Sequence, residues 1–394
     1  MSIFWFFYFL MFVTGNVKIG EKFYLHHVIL LVLVILALLS QLLKGKLTIP
    51  ERFNLCFLFF LASTSLTFFS NVEVSAFRSY SQLIIFFLGI FLTYLCITNR
   101  DDYRHWLHVI ILGCATNAVV GLYQSFAWIK ENGFVLIADG QWFRVKGLCV
   151  SPADYALQLI VGLILSSTIK SRAWRGGGQV TYIVLMLLSM SRSAFVTLVL
   201  LGVVTAFGMQ SKKRIFQFSL LGLVLMFMGG FYMFDDNPVF QRFIDIGNMD
   251  MNLKRIVVFQ DVKDKILSGV NVFLFGNGFG TYSFFHPIDL EVYDNPHNIF
   301  LHIFYSAGLM GFIAFLLCVA ALITSCYSLW RVSDSRQEMK TFLGAILCLH
   351  MCVWIIGLVE QNISGVGAGW LIGAIFGAPL VLRKMAWVSQ QCEY

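Results

Sequence analysis

The stretch Asp294–Gly311 reads D-N-P-H-N-I-F-L-H-I-F-Y-S-A-G-L-M-G. A polar, acidic approach runs into Pro296, which can sit at the start of a helix without removing a needed N–H. The residues that follow are too apolar for anything but a membrane or a core, so the spacing predicts a helix with His297 in its first turn. Gly308 and Gly311 interrupt that helix and predict something packed closely against its backbone. An imidazole at a membrane boundary is a candidate acid or base near neutral pH, and equally a polar cap at the interface.

Outward from this stretch the composition repeats the same message. Of 394 residues, 58% are hydrophobic and 12% are charged, and the mean hydropathy is +0.78. Soluble domains carry about 25% charged residues, so this chain lacks the charge to cover a water-facing surface. Apolar runs long enough to span a bilayer recur throughout: Ile3–Thr14, Phe23–Leu43, Phe53–Ser70, Gln82–Thr98, Leu107–Ile129, Asp154–Thr168, Gln179–Met190, Ala194–Met209, Phe216–Phe234, Gly308–Trp330, Thr341–Val359 and Gly369–Leu382. The expectation is an all-α polytopic membrane protein of about twelve helices. Residues 1–234 would hold nine of them, 235–297 one large loop, and 298–394 the last three with a short tail.

The basic residues orient that count. With the N-terminus inside, alternate loops and the tail hold 16 of the 28 Lys and Arg. The opposite side holds twelve, five of them in the long loop that the positive-inside rule largely exempts. The net charge of +7 therefore reads as orientation and not as a nucleic-acid surface. Nine cysteines lie mostly inside spans, with Cys149 in a loop and Cys392 in the tail, and form no disulfide pattern. Cys348, His350 and Cys352 resemble a metal cluster in writing, but on a helix His350 points away from the two thiols.

Along the chain, Asn71–Ser81 reads as an external turn whose cation, Arg78, could meet a phosphate or snorkel at the interface. Arg175 and the three glycines after it read as a flexible turn. The segment before Pro152 places Arg144 and Lys146 on one face if extended, next to a membrane helix, where an anion could sit. Arg192 falls between two apolar runs with almost no loop; ionisable groups at that depth usually face a cavity, a partner or a substrate. Asn252–Leu267 reads as an amphipathic helix with Leu253, Ile256, Val257 and Phe259 on its apolar side and Arg255 at the edge. Gly276-Asn-Gly278-Phe-Gly280 lacks a βαβ setting, so it is a loop that lets backbone come close to something. Glu360 lies at the external end of a helix.

Taken in order, these stretches resemble the O-antigen ligase and polymerase superfamily of bacterial membrane glycosyltransferases. The resemblance rests on His297-Asn298 followed, after nine intervening residues, by Gly308-Leu-Met-Gly311, on Arg144 through Pro152, on Ser191-Arg192-Ser193, and on Arg255 with the Gly276–Gly280 loop. Asp154 departs from it, since many members carry asparagine after the proline.

The resemblance implies a GT-C-like bundle in the bacterial inner membrane, its site facing the periplasm. It implies en bloc transfer of a glycan from undecaprenyl diphosphate to an acceptor hydroxyl, by inversion and without metal or other cofactor. Arg192 and Arg255 would meet the diphosphate, with Arg144, Lys146 and Arg78 behind them. His297 would take the proton, Asn298 would orient donor or imidazole, and Glu360 would bind sugar hydroxyls. Partners would be the lipid-linked donor, a glycan or lipid A-core acceptor, membrane lipid and a chain-length regulator, with no nucleic acid. The loop Asp235–Pro296 carries five Lys/Arg against nine Asp/Glu, which favours a polymerase over a ligase that must hold a phosphorylated core. A metal-dependent transferase through His286, Asp289, Glu291 and Asp294 stays open, as does a transporter or flippase, which would place its charges near the midplane.

Overall fold

The structure is a computed structural model, and it describes residues 3–19, 23–44, 51–70, 74–133, 137–138, 141–142, 144–149, 151–166, 168–169, 171–189, 191, 198, 249–285, 292–293, 296, 298–333, 337–358 and 368–391. These are almost all helical: α1 (Ile3–Val13), α2 (Leu25–Leu43), α3 (Glu51–Ser70), α4 (Val74–Cys96), α5 (Arg100–Asn132), α6 (Pro152–Ser166), α7 (Arg172–Leu188), α8 (Met249–Ile266), α9 (Val270–Phe275), α10 (Ile299–Val332), α11 (Gln337–Gly357) and α12 (Gly369–Gln391). Three two-residue antiparallel pairs, β1–β2 (Lys18–Ile19, Phe23–Tyr24), β3–β4 (Ile137–Ala138, Gln141–Trp142) and β5–β6 (Phe284–Phe285, Val292–Tyr293), close the connections. By length and composition α2, α5 and α10 can each cross a membrane, and α1, α3, α4, α6 and α11 contain shorter apolar helices. Ten of the twelve expected spans coincide with helices. Ala194–Met209 and Phe216–Phe234 lie outside the described residues.

The core is aromatic and held by close backbone approach. On α12, Gly373 lies against the Phe86 carbonyl and Gly377 against Ile90, while Gly89 of α4 lies against the Trp370 carbonyl. A Cβ at Gly89 or Gly373 would collide with backbone, so these small residues set how closely α4 and α12 cross. Trp370 then receives Phe12 and Tyr8 of α1 edge-on, at 4.9 and 5.7 Å between ring centres. His350 stacks on Phe376 at 3.5 Å and accepts a bond from Trp354 Nε1 at Nδ1 (3.3 Å). It packs in the core, and no cluster of three His, Cys, Asp or Glu is present among the described residues.

Contacts between connecting segments sort into two ends. At one end Gly15 meets the Leu148 carbonyl, Val145 N–H donates to Leu188 O, and Tyr80 packs on Phe279. At the other, Gln41 Nε2 donates to Leu95 O (3.0 Å), Tyr103 packs on Phe342, and the Lys384 ammonium lies 4.7 Å over the Tyr94 ring. This is the alternation that an up-and-down helical chain requires.

Three expectations change. Arg78 and Tyr80 lie within α4, which begins at Val74, and not in a turn. Gly176–Gly178 lie inside α7: an i→i−4 ladder entered from Ser171 runs through them, and the apolar residues beyond, Tyr182, Ile183, Leu185 and Met186, are buried. Packing of that half outweighs a glycine penalty of about 1 kcal/mol per residue. On α8 the buried stripe is Val258, Val262 and Ile266, with Ile256 exposed. The period was read one position early, because Ile256 and Val257 are as apolar as Val258.

Candidate functional site

Two platforms build the first of these ends, and Arg144, Lys146 and Asn298 belong to them, with the backbones of Arg78 in α4 and Arg255 in α8. The first is the break in α10. Asn298 is the N-cap: its backbone is extended (φ −146°, ψ 118°) and its Oδ1 accepts from the N–H groups of Phe300 (2.9 Å) and Leu301 (3.0 Å). Its amide nitrogen donates to Leu358 O at 2.8 Å, tying the start of α10 to the residue just past α11. With Oδ1 committed to two donors, only this amide orientation satisfies the carbonyl. The helix thus begins at Ile299, and His297 precedes the cap; it is not in the first turn. Asparagine is among the best cap residues because its side chain reaches the orphan N–H groups of that turn, which histidine does not do as readily.

Nine residues on, Gly308 leaves the helix (φ 63°, ψ −170°), a conformation essentially restricted to glycine. The break releases two carbonyls. Asn277 N–H donates to Tyr305 O (2.8 Å) and Gly278 N–H to Ser306 O (3.0 Å). The Gly276–Gly280 loop therefore docks backbone to backbone. A Cβ on Gly276 would strike Ser306 and Ala307, and one on Gly308 would strike Leu274 and Phe275. Gly311, one turn further, lies beside Ala307 and faces Ser63 and Thr64 of α3. What packs against the interrupted helix is the glycine loop itself.

Around this joint sits a small second core of Val258, Val262, Ile266, Tyr282 and Tyr305, flanked by Phe259, Phe273, Phe284 and Phe304. It clamps α8 to the upper turns of α10. Lys265 pairs with Asp261 (2.8 Å), donates to Ser283 O (2.8 Å) and lies 4.9 Å over the Tyr282 ring. Burial, and then the charge of Asp261, hold the Tyr282 hydroxyl well above its ordinary pKa, so it stays protonated. Phe279 bridges to α4 through Tyr80 (5.1 Å) and to α10 through His302 (6.1 Å).

The second platform is the segment Arg144–Cys149. Val145 is buried while Arg144 and Lys146 on either side are exposed, so both cations share the outer face. Two buried or half-buried amides of α5 hold the segment. Asn117 accepts from Leu148 N (2.7 Å) and donates to Gln158 Oε1 (2.6 Å) and to Cys149 Sγ (3.3 Å). Gln124 accepts from Gly147 N (2.9 Å) and donates to Gly147 O (2.9 Å). Gly147 takes φ 53° because Asn117 and Tyr155 leave no room for a Cβ. Ser151 caps α6: its hydroxyl accepts from Asp154 N (3.1 Å) and donates to Asp154 Oδ2 (2.9 Å). Asp154 thereby has a helix-capping role of its own.

The elements carrying Arg78 (α4) and Arg255 (α8), Asn298 at the cap of α10 and Leu358 just past α11 thus converge at the first platform. Arg144 and Lys146 belong to the second. Arg192, His297 and Glu360 lie outside the described residues, as do His286, Asp289, Glu291 and Asp294; Arg78 and Arg255 are placed by their backbone only. A scan against protein-family models and a search of curated proteins return no match to this chain. Asn117, Gln124 and Gln158 were missed from sequence, although each is an amide inside an apolar run. That is the signal that marks an internal hydrogen-bond partner in a membrane helix.

Proposed function

We propose that this chain is an inner-membrane glycosyltransferase of the O-antigen polymerase and ligase type, with about twelve spans in a GT-C-like bundle. It moves a glycan en bloc from undecaprenyl diphosphate to an acceptor hydroxyl on the periplasmic face. The observation that carries this reading is the joint at Gly308. It gathers onto one end of the bundle the elements bearing Arg78, Arg255 and the residue after His297, and Asn298 ties that end to Leu358, two residues before Glu360. The leaving diphosphate needs cations aimed where charge develops. Arg192 and Arg255 supply them, with Arg144, Lys146 and Arg78 guiding the donor. His297 takes the proton of the attacking hydroxyl, and Glu360 binds sugar hydroxyls. Asn298, whose amide is spent on main chain, positions the residue before it. The reading uses no metal or cofactor, so the reaction should be insensitive to chelators.

Two observations bear on the alternatives. Among the described residues Asp154 is the one buried Asp, Glu, Lys or Arg, and it lies in the first turn of α6 and not at mid-span. A transporter is therefore less well supported than a surface transferase. The exposed Arg144–Lys146 pair favours, as a second reading, a ligase that docks the phosphates of lipid A-core. Deleting the gene and resolving the surface glycan on a gel separates the two. Single repeats mean a polymerase acting with its chain-length regulator, unlinked long chains a ligase, and an unchanged ladder overturns both.

A further inference from the structure

We propose that α9 and the turn before it are a lipid-embedded foot of the external loop, lying in the outer edge of the bilayer beside α10. Four observations carry this. First, Ile266–Phe285 contains no Asp, Glu, Lys or Arg, although it belongs to the loop expected to face water. Second, no residue of α9 is fully buried; Val270 at its start is 74% exposed and Phe275 at its end 48%, and Leu267 in the turn before it is 60% exposed. Third, the backbone of Leu274 and Phe275 is pressed against Gly308. Fourth, an exposed apolar stripe of α10 (Met310, Ile313, Leu316 and Leu317) begins just below that level.

From Met310 to Val332 the helix rises roughly 34 Å at 1.5 Å per residue, against a hydrocarbon core of about 30 Å. Gly308 therefore stands at the top of the hydrocarbon. The exposed apolar residues of α9 lie at the level where the exposed stripe of α10 begins, and a run of twenty residues without a charge selects acyl chains as their occupant over a soluble protein. Insertion is eased where the backbone is satisfied: Phe273 and Gly276 N–H bond within α9, and Asn277 and Gly278 N–H to the Tyr305 and Ser306 carbonyls. Lys265, at the polar boundary, is held back by Asp261 and Ser283 O. This inference needs the membrane reading but not the enzymatic one.

The test places a genetically encoded fluorescent amino acid singly at Val270, Phe275, Ile313 and Lys263 of the full chain. Each protein is reconstituted in phosphatidylethanolamine–phosphatidylglycerol nanodiscs with plain or brominated acyl chains. Val270 and Phe275 should be quenched by the brominated lipid as strongly as Ile313, with Lys263, on the exposed side of α8, unaffected. Emission at Val270 and Phe275 that behaves like Lys263 overturns the proposal, and a soluble occupant becomes the better account. Quenching at Lys263 equal to Val270 also overturns it, because the whole loop would then be in lipid. An unquenched Ile313 removes the membrane reading together with the inference.

Discussion

Replacing Gly308 by Ala attacks the joint on which the first platform depends. The residue sits at φ 63°, ψ −170°, where a non-glycine residue costs about 1–3 kcal/mol. Its new Cβ would meet the backbone of Leu274 and Phe275, so the loop must withdraw. Withdrawal gives up the Asn277–Tyr305 and Gly278–Ser306 bonds, about 0.5–1.5 kcal/mol each. Together these raise the local opening equilibrium by about 2–6 kcal/mol, roughly 30-fold to 10⁴-fold. Hydrogen exchange in detergent or nanodiscs reads this directly: the amides of Asn277 and Gly278 should lose protection by that factor while those of α4 and α12 do not change. Gly177→Ala is the control, since nothing lies within 4 Å of a Cβ there; inside α7 it should be neutral or stabilising by up to about 1 kcal/mol. Unchanged protection of Asn277 and Gly278 in Gly308→Ala would refute the joint as described.

Asn298→Asp keeps the cap acceptor but turns a carboxylate towards Leu358 O, so it should hold the first turn of α10 yet loosen residues beyond α11; Asn298→Ala should lose both, with about 1 kcal/mol for the cap. Hydrogen exchange over Phe300, Leu301 and Leu358 separates the two. Arg192→Lys and Arg255→Lys retain charge and lose the bidentate fork, so transfer should fall sharply in inserted protein, and wild-type rates in both would remove them from the mechanism. His297→Ala should lower turnover by about 10²–10⁴ with donor binding kept, and the wild type should lose activity on acidification, because a protonated imidazole accepts no proton; retained turnover would remove His297 from the chemistry. Cys149, in a connecting segment, has its thiol pushed well up by burial and then by Asp154, so a membrane-impermeant maleimide should modify it only after unfolding.

Periodicity and apolar run length located helices at ten of the twelve expected runs, because burial in lipid or core leaves a continuous compositional trace. What failed was punctuation. Gly176–Gly178 read as a turn because local propensity was weighed without the packing of Tyr182, Ile183, Leu185 and Met186 that carries the helix through. The start of α10 was placed too early because Pro296 and Asn298 are both start signals, and only geometry shows that Asn298 has its Oδ1 on the first turn. For the site, glycine spacing announced close approach at Gly276 and Gly308 but not that each was the other's partner. That pairing is made of main-chain bonds, which leave no side-chain signature.

This division has a physical consequence. The first platform is assembled by main chain, glycine and amide, groups that need no charge and so lose little when moved to the edge of a bilayer. Asn277 and Gly278 N–H meet carbonyls released by the break, and Asn298 meets two N–H groups and one carbonyl. Among the described residues, the bonds that join the loop and the cap to α10 involve no charged side chain. A joint built from exposed ion pairs would weaken with every salt change at the membrane surface.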